Sequence, residues 1–423
     1  MAEVRPLRGV RYNPRRLANI GSLIAPPYDT TDAAQIAGDA ARSSFNIAEL
    51  ENIDLGSGTD SHLLAATRYR DWRHRDVLIQ DEIPSFYLHE HSYRDGEQHR
   101  HRRGLLARVR LADWSERVIL PHEGTMPGPR HERLARLRAV RANLSPLYLL
   151  YQDESGDLQR TLTTAIAGAA PISSGVDIKG DRHRLTRIDS DDVGQTVSEF
   201  FSNRTLFVAD GHHRYEAALA YRDERRRAGS GETAPSEYVL AMLADINDPG
   251  VSVRPTHRVI NHLAGFDVVD VRRQLAELFV VETSETSVAG RGDHIVCELV
   301  IAGEKYPWRV SPRQDRSHEA RLPRNRSRAW RDLNVAIADS ILLESILGLG
   351  SSQLPNHVSY THDANVAREA VGKDDALLAI IFEPPSLLAL ARVAAAGDKL
   401  PPKSSYFDPK PPAGLVINDL SQP

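Results

Sequence analysis

The sequence predicts a mixed α/β (α+β) fold, with a mixed-sheet core and a smaller C-terminal α+β region. Apolar strand-like runs alternate with helical segments along most of the chain, which is typical of this class. Residues 204–227 form a clear strand–turn–helix unit, RTLFVAD-GHHR-YEAALAYRDERRR. After about residue 266 the pattern changes to a helix followed by a small meander. We therefore predict a core over 1–265 and a second region over 266–423, whose tail packs back on the core.

The composition excludes several classes of protein. With 423 residues, 41% hydrophobic and 26% charged, the chain is neither disordered nor too short for a sizeable core. A net charge of -4 lacks the basic excess of a dedicated nucleic-acid binder, so we do not expect nucleic acid as a partner. The single cysteine, Cys297, excludes an intrachain disulfide and a zinc–thiolate cluster. Its apolar neighbours indicate a core residue.

No signal peptide and no membrane helix are expected. The N-terminal sequence MAEVRPLRG lacks the apolar stretch of a signal peptide. No apolar run approaches the ~20 residues that a membrane helix needs. We therefore expect a cytoplasmic protein with no membrane partner.

Turn and periodicity signals place the main elements in order. Tandem prolines at 26–27 predict a fixed loop, after which Thr31-Asp32 can cap a helix. Asp95-Gly96 between alternating runs predicts a hairpin. The other predicted elements are helices at 62–75, 132–143, 332–349 and 386–396, and strands at 145–153, 204–210, 237–248 and 377–382.

The segment LFVADGHHRYEAAL is the strongest candidate for chemistry. An apolar strand ends at Asp210, Gly211 allows a tight turn, and a helix begins at once. The first turn of a helix favours anions, and Arg214 adds a planar fork suited to phosphate oxygens. His212 and His213 add further donors, while Asp210 could accept a proton or hold a metal ion. The alternative is an ordinary N-cap with surface histidines, but positive charge there opposes the helix dipole unless an anion binds.

The segment LPHEGTMPGPRHERL is the second candidate. A carboxylate beside an imidazole, Glu123 and His122, could activate a hydroxyl nucleophile. Arg130, Arg133 and Arg136 follow at helical spacing and could neutralise phosphate charge. The alternative is a capping loop followed by a solvated basic helix.

Three shorter segments have equally open interpretations. Asp29, after Pro26-Pro27, is either a structural turn residue or a ligand for a substrate amine or a metal. Thr256, His257 and Arg258 suit a phosphate or carboxylate, or form a polar edge strand. Lys403, in an apolar tail, could bring charge to a phosphate or simply face solvent.

Four histidines flank the predicted hairpin, and the register decides which of them share a face. With a two-residue Asp95-Gly96 loop, His89 and His91 lie on one face of the hairpin and His99 and His101 lie on the other. A three-residue loop brings all four together. A metal cluster needs the second register, and the alternative is a solvated strand with charged ends.

Six ordered motifs carry a family resemblance. The chain resembles the domain of unknown function 1015 family, and its turn at 209–214 resembles the nucleotide-phosphate box of the ParB and sulfiredoxin superfamily. The motifs are APPYD (25–29), HEGT (122–125), NLSPLY (143–148), ADGHHRYEAAL (209–219), RPTHRVI (254–260) and PPKSSYFDPKPPAGLV (401–416). The resemblance implies a phosphotransferase similar to free-serine kinases that use ATP, ADP or pyrophosphate.

The resulting hypothesis is an enzyme that transfers a phosphoryl group between a nucleotide or pyrophosphate donor and a small hydroxylated acceptor such as serine, in either direction. Gly211, His212 and Arg214 would cradle the donor phosphates, Mg²⁺ would bridge them, and Glu123 or Asp210 would orient the attacking hydroxyl. The alternatives are a ParB-like nucleotide-binding regulator and a member that retains only ligand binding. The sequence leaves a homodimer open.

Overall fold

The computed structural model describes most of the chain, and it divides into two compact units. The described residues are 1–27, 38–39, 41–51, 60–124, 127–283, 295–373, 375–401 and 403–421. Unit 1 comprises Met1–Val251 and Pro409–Pro423, and unit 2 comprises Ser252–Asp408. The mixture of helices and sheets confirms the predicted mixed α/β class.

The elements run in chain order as follows. The strands are β1 Val4–Arg5, β2 Val10–Tyr12, β3 Leu78–Gln80, β4 Phe86–Asp95, β5 Gln98–Arg110, β6 Ile119–Leu120, β7 Ala142–Asn143, β8 Leu147–Tyr151, β9 Ser173–Val176, β10 Arg182–Ile188, β11 Leu206–Asp210, β12 Tyr238–Asp245, β13 Val253–Arg254, β14 His257–Ile260, β15 Phe279–Thr283, β16 Cys297–Ile301, β17 Trp308–Pro312, β18 Val358–Thr361, β19 Leu378–Ile381, β20 Tyr406–Phe407 and β21 Asn418–Asp419. The helices are α1 Ala48–Glu51, α2 Ser61–His74, α3 Pro127–Val140, α4 Asp157–Ala165, α5 Asp191–Phe201, α6 His212–Arg227, α7 Val268–Leu278, α8 Arg328–Arg331, α9 Asn334–Ile337, α10 Leu354–His357, α11 Ala364–Gly372 and α12 Leu387–Ala395.

A mixed sheet forms the centre of unit 1. Its strand order is β6-β11-β8-β12-β5-β4-β10-β9, and β1 also pairs with β5. The pairs β6–β11 and β8–β12 are parallel, whereas β8–β11 and β5–β12 are antiparallel. Strand β11, which leads into the predicted turn, therefore lies near one edge of the sheet.

Both faces of the sheet are buried at β8 and β12, which explains why these two strands read as continuous apolar runs. Successive side chains of a strand point to opposite faces. Thus Ala241 and Leu243 of β12 belong to one apolar cluster, while Leu240 and Met242 belong to another. Tyr215 of α6 packs in the first of these clusters.

Unit 2 contains an antiparallel sheet in the order β15-β17-β16-β19-β14-β18. Its strands pack against α11 through a cluster that includes Val259, Ala379 and Ala367. Cys297 is buried on β16, as its apolar neighbours indicate, and burial raises the pKa of its thiol. The helix predicted over 332–349 is instead a short α-helix, α9, followed by a π-helical segment, Ala338–Ile346.

The hairpin adopts neither of the two predicted registers. Asp95 pairs with Gln98, so the loop residues are Gly96 and Glu97, and His91 faces Arg102 while Ser92 faces His101. The two histidine pairs of the hairpin therefore lie on opposite faces. His89 and His91 instead stack with His183 of β10. Within the described part of the chain, no group of three metal-ligating side chains is arranged to hold a metal ion.

The segment after Pro409 belongs to unit 1. Leu415, Val416 and Ile417 are fully buried, and β21 pairs with β7. Further bridges join Ala413 to Ala25 and Ile417 to Val10. Among the described residues, no helix is both long enough and apolar enough to cross a membrane.

A close backbone contact at Gly250 yields the first prediction. A Cβ atom at this position would lie 2.2 Å from the carbonyl oxygen of His101, which a strand holds in place. We expect Gly250→Ala to lower the free energy of unfolding by about 2 kcal/mol, because the backbone must shift to relieve the overlap. Urea titration measures the change.

Gly231→Ala is the matched control, because a Cβ atom there meets no other atom within 4 Å. It should leave the urea midpoint unchanged. Equal midpoints for Gly250→Ala and the natural protein would contradict the tight packing of this loop against β5.

Candidate functional site

The predicted turn is a sharp strand-to-helix junction in unit 1. Strand β11 ends at Asp210, and Gly211 adopts a left-handed φ of 98°, which an L side chain rarely adopts. Helix α6 then begins at His212. Because a helix leaves the N–H groups of its first turn without intrahelical partners, this end carries positive potential.

Two cations converge on the Asp210 carboxylate. Arg214 Nη2 donates to Asp210 Oδ2 at 2.5 Å, and Arg214 Nη1 donates to the carbonyl oxygen of Pro146 at 2.5 Å. The ammonium group of Lys410 forms an ion pair with the other carboxylate oxygen, Oδ1. The carboxylate therefore joins β11, α6 and the C-terminal segment.

His212 is not one of the cations in the turn. The backbone N–H of His122 donates to its Nε2 atom at 3.3 Å, so that nitrogen carries a lone pair and no proton. The two rings meet edge to face with centroids 4.8 Å apart. Burial lowers the pKa of His122 to about 4, although a hydrogen bond with the Val208 backbone opposes the shift. His122 is therefore neutral at pH 7. His213 lies half-buried in the first turn of α6.

A pocket beside the turn is rich in arginine. Arg133 and Arg136 of α3 line it together with Arg214, whereas Glu51 is the acidic member of the described lining. Arg133 Nη1 lies 2.8 Å from Glu51 Oε2, and both side chains are buried. Burial lowers the pKa of Arg136, which nevertheless stays charged at neutral pH. The described lining therefore has a positive balance.

Two further predicted residues are Glu123 and Asp29. Glu123 is half-buried in the loop next to His122. Asp29 lies outside the described residues, as do Thr125 and Met126 of the HEGT loop.

The remaining predicted residues lie in unit 2. Arg258 is 1% exposed and binds Asp339 through Nε and Nη2 at 3.1 and 3.0 Å. The Nδ1 atom of His257 accepts the Phe382 N–H at 3.2 Å, and burial lowers the pKa of His257 to about 4. Thr256 is buried, with its hydroxyl 3.4 Å from His362 Nδ1.

Lys403 is exposed and has a left-handed φ of 57°. Thr256, His257 and Arg258 are therefore buried with polar partners in unit 2, while Lys403 faces solvent.

The described residues do not supply a protein-only magnesium site. Both oxygens of Asp210 are engaged by cations, and no described group of three acidic or histidine side chains is arranged around a metal position. Mg²⁺ usually keeps several waters and is held by one or two carboxylates together with substrate phosphates.

Sequence reasoning missed several residues of this site. Lys410 lies far from Asp210 along the chain, and Glu51 lies far from Arg214, so no local spacing relates them. Arg136, by contrast, was predicted together with Arg133, because a three-residue spacing places both on one face of α3.

The fold and turn define a mixed α/β protein with a cationic strand–turn–helix site. A sequence model of the family described as "Protein of unknown function (DUF1015)" matches residues 4–336. The chain belongs to this family, as its six motifs predicted. A comparison with curated proteins gave no significant match.

Several solved structures are similar to this chain at low identity. A conserved hypothetical protein from Pyrococcus furiosus is 12% identical with a TM-score of 0.34, over 72% of this chain and 94% of that one. A free serine kinase in complex with AMP is 12% identical with a TM-score of 0.35, over 72% and 88%. SbnI from Staphylococcus aureus, with a C-terminal truncation, is 13% identical with a TM-score of 0.36, over 74% and 87%.

The buried His122 ring predicts an acid-sensitive fold. Its pKa is about 4 in the folded chain against 6.5 for an unperturbed imidazole, so the unfolded state binds the proton first as the pH falls. This contribution to stability is complete above pH 6.5 and is lost towards pH 4, with a total on the order of 3 kcal/mol. Urea unfolding at pH 7 and pH 4.5 measures the difference.

In this measurement His122→Asn should lose less stability on acidification than the natural protein. His74→Asn, which changes an exposed histidine, should behave like the natural protein. An unchanged pH dependence in His122→Asn would show that this ring is not held neutral.

The Arg258–Asp339 pair predicts a structural role for Arg258. Removing one partner of a buried ion pair leaves the other uncompensated, at a typical cost of about 3–5 kcal/mol. We expect Arg258→Ala to lower the denaturation midpoint of unit 2. The fluorescence of Trp308 and Trp330, which are buried in this unit, monitors its unfolding. The exposed Arg328→Ala is the control, and equal midpoints for both variants would refute the structural role.

Proposed function

We propose that the chain is a small-molecule phosphotransferase whose donor phosphates bind at the Asp210–Arg214 turn. The observation that carries this proposal is the arginine-rich pocket next to the first turn of α6. Glu51, Glu132 and Asp210 pair with these guanidinium groups, but the described pocket lining itself contains three arginines and one glutamate. An anionic ligand with several oxygens would complement this lining.

The chemistry of phosphoryl transfer supports the choice of ligand. Such reactions depend mainly on positioning and on neutralising charge spread over the phosphate oxygens. Guanidinium forks match those oxygens with paired hydrogen bonds, and helix N-termini add backbone donors. Arg133, Arg136 and Arg214 provide the forks, and α6 provides the helix start.

Glu123 is our candidate for orienting the acceptor hydroxyl. Asp210 is less suited to that role, because Arg214 and Lys410 already engage both of its oxygens. His122 is neutral and fixes the ring of His212 through its backbone N–H, so we assign it a positioning role. A half-buried carboxylate such as Glu123 can accept a hydrogen bond from a hydroxyl group.

The family resemblance suggests serine as acceptor, with a nucleotide or pyrophosphate as donor. Mg²⁺ would bind together with the donor phosphates and offset their negative charge. A phosphatase activity, in which phosphoserine transfers its phosphoryl group to water, would use the same residues. The carboxylate of Glu123 would then orient water in place of the acceptor hydroxyl.

The direct test is a phosphorus NMR assay for O-phosphoserine. The protein is incubated with L-serine and MgCl₂ and, in separate tubes, with pyrophosphate, ATP or ADP. We expect product with one donor, and a loss of about 100-fold in rate for Arg214→Ala, because the transition-state charge loses a guanidinium fork. Arg225→Ala, at an exposed position late in the same helix, should retain full activity.

Circular dichroism of each variant separates loss of activity from loss of fold. No phosphorylated serine with any donor, or equal rates for Arg214→Ala and Arg225→Ala, would refute the proposal. Nucleotide binding without turnover would instead favour the regulatory alternative.

A further inference from the structure

The C-terminal segment brings a second cation to the phosphate turn. Residues 413–417 are buried in unit 1 and held by backbone bridges, so the segment is an integral part of this unit. Just before them, the Lys410 side chain is 13% exposed and contacts Asp210 Oδ1. Arg214 occupies the other oxygen of the same carboxylate. Two cations therefore share one acidic group at the start of α6.

Arg102 holds the backbone that carries Lys410. Its side chain is 1% exposed, and Nη1 donates to the carbonyl oxygen of Pro409, the residue immediately before Lys410. It also contacts His91 Nδ1, 3.4 Å from Nη2, and Tyr148, whose ring centroid lies 5.3 Å from the guanidinium carbon. Among the described residues, Arg102 forms no ion pair with a carboxylate. A buried guanidinium thus serves chiefly to fix the segment at Pro409.

Local topology brings these groups to one place. Tyr148 of β8 pairs in register with Asp210 of β11, and Arg102 of β5 lies over the Tyr148 ring. The carbonyl oxygen of Pro409 therefore anchors the segment beside the end of β11. From there the Lys410 side chain reaches Asp210.

We propose that Lys410 is a further phosphate-binding residue of the turn and that Arg102 is the residue that positions it. The inference rests on the proposed function, since it names a second ligand of the same donor. Lysine provides a compact charge with rotatable donors, so Lys410 can contact a phosphate oxygen while Arg214 provides a planar fork. The pair Asp210–Lys410 orients this ammonium group before the donor arrives.

Binding measurements test the inference independently of turnover. Isothermal titration calorimetry with inorganic pyrophosphate and with ADP, each with MgCl₂, gives Kd for the natural protein and for Lys410→Met. We expect Kd to rise at least 10-fold in Lys410→Met and to recover in Lys410→Arg, which restores the charge. Lys373→Met, an exposed lysine of unit 2, should bind like the natural protein.

A double-variant cycle tests the positioning role of Arg102. Arg102→Met should raise Kd, and Arg102→Met with Lys410→Met should be no weaker than Lys410→Met alone, because both changes remove the same contact. Additive losses would overturn the positioning role. Urea midpoints of all variants identify those that fail to fold, and Arg102→Lys provides a milder change where Arg102→Met does so.

The outcomes separate this inference from the proposed function. Equal Kd values for the natural protein and Lys410→Met would overturn the role of Lys410, even if the protein phosphorylates serine. A 10-fold difference in Kd without any turnover would support Lys410 as a phosphate ligand and count against the enzyme. Absence of binding of both probes to the natural protein would overturn the role of Lys410, and the phosphorus NMR assay with ATP would then decide the proposed function.

Discussion

The carboxylate of Asp210 is the contact on which the described site of unit 1 depends. It accepts a hydrogen bond from Arg214 on one oxygen and pairs with Lys410 on the other. Because a buried carboxylate is costly without partners, it fixes both cations at the end of β11. The left-handed Gly211 then lets α6 begin directly beside them. Strand, helix and C-terminal segment thus meet at one acidic side chain.

The turn could be predicted from the sequence because its parts are contiguous. An apolar strand, a glycine and a helical run need only local propensities, and the same alternation predicted the mixed α/β class. Lys410 and Glu51 could not be found in this way, since loop and sheet topology alone bring them near α6. The lysines of the tail illustrate the point: Lys403 is exposed in unit 2, and Lys410 pairs with Asp210 in unit 1.

The hairpin shows a second limit of sequence reasoning. A shift of one residue in register exchanges the two faces of a strand. Asp95-Gly96 predicted a hairpin correctly, but Asp95 itself extends the ladder by pairing with Gln98. The third member of the histidine stack, His183, comes from β10, whose pairing with β4 no local pattern specifies.

The first turn of α6 is less positive in the structure than its sequence indicates. In the sequence, His212, His213 and Arg214 together oppose the helix dipole. In the structure His212 accepts an N–H, and Arg214 has Asp210 as counter-ion, so the conflict in the first turn is smaller. On α3, Arg133 and Arg136 are buried beside the turn, while Arg138 faces solvent. A solvated basic helix would expose all three. The inward direction of Arg133 and Arg136, rather than the charge of the turn, is therefore the observation on which the proposed phosphate site depends.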